Sequence, residues 1–327
     1  MAIKFNKASA TLFSKLGSRA TYGQAMLSLA EDNEKVLAMS ADLGNSSGLA
    51  PFIRKYPSRF INTGIAEQNM IGVAAGLAKE GFIPFVSSFA PFLSMRASEQ
   101  IRMELGYMKF NVKVVALGSG LSMGFLGNSH FGLEDVSVMR AIPNITVISP
   151  ADCFEIIKTV HAAASFSGPI YIRLTAAVNN PPVYFDDYNF KIGKAIKLHE
   201  GKDILIVATG SMVFHANQAR DLLLQSGIKA ELLNMHTIKP LDKNAIKKSL
   251  INKKLIVSVE EHTIVGGLGS SIAEYLSDTD SKIPHLRIGL PDKFGKTAEY
   301  NHLIKLHKLD GFSLARRIKN KLGSTKA

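Results

Sequence analysis

Short apolar runs of strand length alternate with longer helical patterns along the whole of this 327-residue chain. A regular alternation of strands and helices is typical of parallel sheets whose faces are covered by helices. The predicted strands of a first series are Val36–Ser40, Phe60–Asn62, Ile83–Ser88, Val112–Leu117, Ile145–Ile148 and Ile170–Arg173. The predicted helices of this series are Tyr22–Asn33, Glu67–Lys79, Pro91–Met103, Leu133–Ala141 and Ala151–Ala164.

A break at Asn179-Asn180-Pro181-Pro182 ends the first series, because two prolines and two turn-forming asparagines stand together there. The chain is also long enough for two domains of about 100–200 residues each. We therefore predict two α/β domains with mainly parallel sheets flanked by helices, over residues 1–180 and 190–327. The predicted strands of the second series are Ile204–Ala208, Ala230–Asn234, Leu255–Val259 and His285–Ile288, and the predicted helices are Val213–Gln225 and Ser270–Leu276. The tail from Ser313 to Ala327 is predicted to form a short amphipathic helix followed by a frayed end.

Charge and cysteine content narrow the class of protein. The 39 Lys and Arg residues exceed the 27 Asp and Glu residues by 12, which raises nucleic-acid or anionic-substrate binding as options. The lysines are scattered over helices without interleaved aromatic residues, so we expect no nucleic-acid partner. Cys153 has no second cysteine to pair with, and the sequence shows neither a signal peptide nor an apolar run of about 18 residues. We expect a cytoplasmic protein without a membrane partner.

The predicted helix Glu67–Lys79 carries the first candidate for chemistry. Its inner sequence, Met-Ile-Gly-Val-Ala-Ala-Gly-Leu-Ala, is apolar on every side. We therefore expect the helix to be buried all round, with a subunit interface as one source of that burial. A first-turn carboxylate such as Glu67 often serves only as a cap or as a partner of the helix dipole. If it is desolvated, the same carboxyl group can hold or share a proton.

Two phenylalanines follow the strand Ile83–Ser88. Phe89 and Phe92 stand just beyond its carboxyl end, which is where ligands bind in parallel α/β sheets. Two rings three residues apart either pack into a core or form a stacking wall for a heteroaromatic ring. The local sequence leaves both interpretations open.

The glycine-rich segment 118–124 leads to a further candidate. Its spacing is not Gly-x-Gly-x-x-Gly and no helix follows at once, so we reject dinucleotide binding. His130 lies near Glu134 and Asp135, but no second His or Cys is close in sequence, so we predict no metal site. His130 is then either a substrate-facing loop residue or an ordinary surface histidine. A second glycine loop, Gly266-Gly267-Leu268-Gly269, serves chain reversal or anion binding.

Taken together, these segments resemble the second half of the transketolase family of thiamine diphosphate enzymes. That half consists of a pyrimidine-binding domain followed by a C-terminal domain, and the resemblance covers nearly the whole chain in order and spacing. The segments that carry it are Ser40-Ala41-Asp42-Leu43, Thr63-Gly64-Ile65-Ala66-Glu67-Gln68-Asn69, Ser88-Phe89-Ala90-Pro91-Phe92, Met139-Arg140-Ala141-Ile142-Pro143-Asn144, Ser149-Pro150-Ala151-Asp152 and Ala208-Thr209-Gly210-Ser211.

The resemblance implies cofactor contacts for five residues. Glu67 corresponds to the family's glutamate at N1′ of the cofactor's aminopyrimidine, which drives the imino tautomer that deprotonates C2 of the thiazolium. Phe92 matches the ring that stacks on the pyrimidine, and Phe89 lines the same pocket. Asp42 lies near the thiazolium in relatives, and Met95 takes the position of an aromatic residue.

The resemblance also implies substrate contacts. Arg19, Ser46, His130 and Arg173 fall where the family contacts sugar hydroxyls or phosphate, and His130 joins Glu67 as a catalytic candidate.

Two departures concern the substrate. Leu126 replaces an acidic residue that faces a substrate hydroxyl, and Gly118 stands where a phosphate-contacting histidine is common. An unpaired substrate hydroxyl in a closed site costs on the order of 1–3 kcal/mol, so we expect the usual sugar phosphates to be poor substrates.

A third departure concerns the cofactor's diphosphate. No Gly-Asp-Gly followed by a downstream Asn occurs in the chain. The resemblance therefore implies the second subunit of a split, transketolase-like enzyme, with thiamine diphosphate and Mg²⁺ or another divalent metal held through an α subunit in an α2β2 assembly. The enzyme would transfer a two-carbon ketol unit from a ketose to an aldehyde acceptor, with sugars or sugar phosphates as substrates. A 1-deoxyxylulose-phosphate-synthase-like acyl transfer, a 2-oxo-acid dehydrogenase E1 β subunit and a non-catalytic partner-binding subunit remain open alternatives.

Overall fold

Residues 3–175 and 180–324 are described by the computed structural model, which contains two sheets. The strands are β1 Val36–Ser40, β2 Phe60–Asn62, β3 Ile83–Phe89, β4 Lys113–Leu117, β5 Thr146–Ile148, β6 Ile170–Arg173, β7 Ile196–His199, β8 Ile204–Ala208, β9 Ala230–Asn234, β10 Thr237–Lys239, β11 Leu255–Thr263 and β12 His285–Leu290. The α-helices are α1 Lys7–Asp32, α2 Ala50–Lys55, α3 Glu67–Lys79, α4 Ser98–Gln100, α5 Asp135–Ala141, α6 Cys153–Ser165, α7 Met212–Gln225, α8 Lys243–Ser249, α9 Leu268–Ser277, α10 Tyr300–Leu306 and α11 Gly311–Ser324. Two π-helical turns, Phe92–Arg96 and Ile101–Tyr107, flank α4.

The strand order of the first sheet is β10-β5-β6-β4-β3-β1-β2, and that of the second is β12-β11-β8-β9-β7. Adjacent strands are parallel except at one edge of each sheet, where β10 runs antiparallel to β5 and β7 antiparallel to β9. Strands β1, β4, β6, β8 and β9 are buried at every position, because helices cover both faces of a parallel sheet. The predicted fold class is confirmed.

Strand β10 comes from the second half of the chain but completes the first sheet. Thr237 lies opposite Ile148, and the Ser149 backbone N–H donates to the His236 carbonyl at 2.7 Å. The sequence analysis missed it, because Thr237-Ile238-Lys239 contains a single strongly apolar residue and so shows no apolar run. The division at residues 180–190 stays a prediction. Asn179, one of the residues on which the predicted domain division rests, lies outside the described residues. Residues 325–327, in the predicted C-terminal tail, also lie outside them.

Helices α1 and α3 are among the elements that differ from their sequence-based predictions. Helix α1 begins at Lys7, where the Asn6 side chain accepts a capping hydrogen bond, and not at Tyr22; the left-handed φ of 79° at Gly17 breaks its regular pattern. Helix α3 has the predicted bounds, but it is buried on one side only. Val73 is 37% exposed, and a Cβ at Gly72 or Gly76 would meet open space. Burial all round is therefore wrong for this chain, and an interface over the exposed side stays a prediction.

A buried carboxyl group links the two halves. Glu155 in α6 accepts hydrogen bonds from the Asn234 amide of β9 at 2.9 and 3.0 Å and from the Tyr188 hydroxyl at 3.2 Å. Burial raises the pKa of Glu155 to about 7, because the charged carboxylate has lost its water. The nearby Asp152 carboxylate accepts hydrogen bonds from the backbone N–H groups of Val183 and Tyr184. These bonds hold the segment between β6 and β7 against α6.

Glu155 predicts how stability depends on pH. Between its ordinary value of 4.5 and about 7, the folded state binds more protons than the unfolded state, so the free energy of unfolding falls as pH rises. In Glu155→Gln this fall should be smaller, by on the order of 1–3 kcal/mol. Urea unfolding of both proteins at pH 5 and pH 7.5 measures this fall in the free energy of unfolding. Glu200→Gln, at an exposed carboxylate, is the control, and an equal fall in wild type and Glu155→Gln would contradict the prediction.

Candidate active site

Glu67 begins α3, but its side chain does not cap the helix. The carboxylate is 1% exposed and turns toward the carboxyl end of β3. One carboxylate oxygen accepts a hydrogen bond from the Ser88 hydroxyl at 3.0 Å, and the other forms an ion pair with Arg96 at 2.7 Å. The site therefore holds a buried carboxylate with one neutral and one cationic partner.

Three rings lie near the partners of Glu67, because Arg96 contacts Phe92 and Ser88 precedes Phe89 in the chain. The ring centroids of Phe89 and Phe92 are 6.0 Å apart, and the His130 imidazole lies 5.5 and 5.3 Å from them, all in edge-to-face arrangements. Phe89 is buried and Phe92 is half-buried. The structure thus places Phe89, Phe92 and His130 together. Phe92 also packs against the hydrophobic core, so its stacking role stays a prediction.

Arg96 was missed by the sequence analysis. Its guanidinium carbon lies 4.4 Å from the centroid of the Phe92 ring, in addition to its ion pair with Glu67. The signal that could have found it is the spacing from Phe92, because residues four apart on a helical turn share one side. A planar, cationic group of this chain therefore lies over Phe92 and donates to Glu67.

The loop that carries His130 is held by the second half of the chain. Asn128 exchanges two hydrogen bonds with Gly295, at 2.9 and 3.0 Å, and the Leu121 backbone N–H donates to the Glu261 carboxylate at 2.7 Å. The His130 Nδ1 lies 3.0 Å from the Ser129 hydroxyl. This bracing by Asn128 and Glu261 fixes the loop relative to the sheet.

The two departures from the family pattern lie in the same loop. Gly118 has a φ of 62°, and a Cβ there would lie 2.7 Å from the Met123 side chain, so a histidine has no room without rearrangement. Leu126 is 41% exposed.

The other predicted site residues lie around this edge of the sheet. Asp42 follows β1 with a left-handed φ of 59°, and its carboxylate accepts from the Asn62 amide at 3.3 Å. The Arg19 guanidinium donates to the Ser46 carbonyl at 3.1 Å, so these two residues meet. Met95 is 56% exposed.

Arg173 ends β6 at the same edge of the sheet, but its side chain faces inward. It is buried, and its guanidinium donates to the Asp135 carboxylate at 2.9 and 3.1 Å and to the Gly132 and Glu261 carbonyls. The structure does not bring this side chain to an open surface, so we assign it to the internal ion pair and do not retain its predicted substrate contact.

The second glycine loop is occupied by the chain itself. The Leu268 and Gly269 backbone N–H groups at the start of α9 donate to the Glu260 carboxylate at 2.7 and 2.8 Å. Burial raises the pKa of Glu260 to about 7. An internal carboxylate therefore occupies the position that an anion would take.

Within residues 3–175 and 180–324, no group of three or more His, Cys, Asp or Glu side chains could hold a metal ion. Over the same described residues, no helix combines the length and the apolar character needed to cross a bilayer.

Two family models match successive parts of the chain. A family model described as the pyrimidine-binding domain of transketolase matches residues 14–179, and one described as the transketolase C-terminal domain matches residues 193–313. The chain belongs to the transketolase family.

Individual members of the transketolase family match over most of their length. A protein of Methanocaldococcus jannaschii named as a transketolase C-terminal section is 42% identical, over 92% of this chain and 95% of its own. The 6-deoxy-6-sulfo-D-fructose transketolase subunit SqwH of a Clostridium species is 40% identical, over 87% of this chain and 88% of its own. A solved structure described as a split-gene transketolase in an inactive β4 tetramer is 38% identical, with a TM-score of 0.84, and covers 94% of this chain and 98% of that one.

Proposed function

We propose that this chain is the C-terminal-half subunit of a split transketolase that uses thiamine diphosphate to move a two-carbon ketol unit from a ketose to an aldehyde. The observation that carries the proposal is the buried Glu67 carboxylate, whose partner Arg96 lies over the half-buried Phe92 ring next to His130. Thiamine diphosphate would supply a thiazolium carbon that can add to a ketone once deprotonated, which allows the adjacent C–C bond to break.

Each residue of the cluster has a part in this proposal. Glu67 holds a proton against N1′ of the aminopyrimidine, and Phe92 offers a ring on which the pyrimidine stacks. Phe89 closes the inner wall and keeps water from the carboxylate. His130, on the braced loop, faces the substrate and orients its oxygen atoms.

The rest of the site belongs to a partner in this proposal. The subunit and split-gene descriptions of similar proteins support a separate α chain that binds the diphosphate and Mg²⁺ or another divalent metal. We propose an α2β2 assembly in which the cofactor lies at the subunit interface.

The test is calorimetry with thiamine diphosphate and Mg²⁺. We expect tight binding only when this chain is mixed with a partner that carries Gly-Asp-Gly and a downstream Asn, because diphosphate and metal contacts supply much of the anchoring. Such a partner is sought first in the neighbouring reading frame. Tight binding by the isolated chain would refute the split-subunit proposal. A complex that binds the cofactor but turns over no ketose would indicate a non-catalytic subunit.

Leu126 predicts the substrate preference of the complex. An apolar side chain cannot accept the hydrogen bond that an acidic residue there offers a sugar hydroxyl, so Leu126→Asp should move preference toward ordinary sugar phosphates by about ten-fold or more. The measurement is the ratio of kcat/KM for xylulose 5-phosphate to that for the best substrate in a panel of ketoses. Phe125→Asp, at the exposed neighbouring residue, is the control. If the ratio is unchanged in an active Leu126→Asp variant, Leu126 does not face the substrate.

A further inference from the structure

Arg96 makes two contacts at once in the candidate active site. One guanidinium nitrogen lies 2.7 Å from a Glu67 carboxylate oxygen, and the guanidinium carbon lies 4.4 Å from the centroid of the Phe92 ring. The first contact is a charge-assisted hydrogen bond, and the second is a cation–π contact.

Both contacts are those that the proposed function assigns to the aminopyrimidine. That ring would stack on Phe92 and share a proton with Glu67, so it needs the same ring face and the same carboxylate. A guanidinium and an aminopyrimidine are both planar and carry N–H donors at their edges. Arg96 and the cofactor therefore compete for one position.

We propose that Arg96 is a displaceable substitute for the cofactor's aminopyrimidine, which holds Glu67 as a paired carboxylate until the cofactor takes its place. This inference rests on the proposed function and adds a residue that controls cofactor loading. Without such a partner, the buried Glu67 would be left with only the neutral Ser88 hydroxyl in the empty site, which is costly for a charged group.

The location of Arg96 allows it to leave. Its side chain is 45% exposed, whereas that of Glu67 is 1% exposed, so the arginine can turn into solvent while the carboxylate stays in place. Within the described part of the chain, the Arg96 guanidinium is held by Glu67 and Phe92. It also lies at the end of the π-helical turn Phe92–Arg96, a type of widened turn that is common at functional sites.

The expected consequence is a lower apparent cofactor affinity in the wild-type enzyme. A site that is open in only a tenth of molecules binds about ten-fold more weakly than the same site held open. In the assembled two-subunit enzyme, Arg96→Ala should therefore lower the Kd for thiamine diphosphate by about five- to ten-fold, measured by calorimetry at saturating Mg²⁺. Arg96→Lys keeps the charge but not the planar group, and should give a smaller decrease.

Stability supplies a second measurement. Without cofactor, Arg96→Ala should melt at a lower temperature than wild type, because Glu67 loses its counter-ion. At saturating cofactor this difference should disappear. Arg102→Ala, at an exposed arginine two residues beyond α4, is the matched control and should change neither quantity.

The outcomes separate the two proposals. If the wild-type complex does not bind thiamine diphosphate, the proposed function fails. If the wild-type complex binds it and Arg96→Ala or Arg96→Lys binds equally or more weakly, the substitute role is wrong and Arg96 stays with Glu67 in the loaded site.

Discussion

Replacing Glu67 by Gln in the reconstituted enzyme is expected to reduce kcat by about 10²–10⁴-fold, the usual contribution of a general acid or base. The amide of Gln is close in size to the carboxyl group and can still accept a hydrogen bond from Ser88. It cannot exchange a proton with a ring nitrogen. Steady-state kinetics with a ketose donor and an aldehyde acceptor measure the loss, while size-exclusion chromatography checks that the subunits still assemble.

Glu99→Gln is the control for the loss of one negative charge, because Glu99 is exposed in α4 and close in sequence to Arg96. It should retain nearly full activity. If Glu67→Gln retained activity within about two-fold of wild type, Glu67 would not belong to the mechanism.

Replacing Arg173 by Met should destabilise the chain by about 3–5 kcal/mol, because it leaves the Asp135 carboxylate buried without its counter-ion. The Gly132 and Glu261 carbonyls lose a donor in the same variant. Equilibrium unfolding in urea measures the loss. The double variant Arg173→Met with Asp135→Leu should recover part of the lost stability. Replacing both charged partners by apolar groups costs less than leaving one buried charge without its partner.

Arg220→Met is the matched control, since Arg220 pairs at 2.8 Å with Asp221, a side chain that is 56% exposed. That change should cost less than about 1 kcal/mol. A fully stable Arg173→Met enzyme with a raised KM for phosphorylated substrates would instead restore the substrate contact that the resemblance implied for Arg173.

Several elements could be predicted from the sequence because their signal is local. The bounds of β1, β8 and β9 agree with the predicted strands, since a short apolar run between polar turns needs no distant partner to be recognised. The bounds of α3 also agree.

The role of Glu67 came from the resemblance and not from periodicity. A first-turn glutamate is compatible with a simple helix cap, and only the order and spacing of several segments pointed to thiamine diphosphate chemistry. The structure excluded the cap and paired the carboxylate with Ser88 and Arg96.

Tertiary structure decided what depends on residues far apart in the chain. Arg173 pairs with Asp135 across 38 residues, and β10 crosses from the second half to the first sheet. Local pattern cannot distinguish an arginine that faces a substrate from one that neutralises a buried carboxylate, because the side chain is the same and only its surroundings differ. The sequence by itself determined the α/β class, most of the strands and the segment that holds Glu67. Folding alone determined the Arg96 ion pair, the internal role of Arg173 and the exposed side of α3, because each depends on which surfaces meet in space.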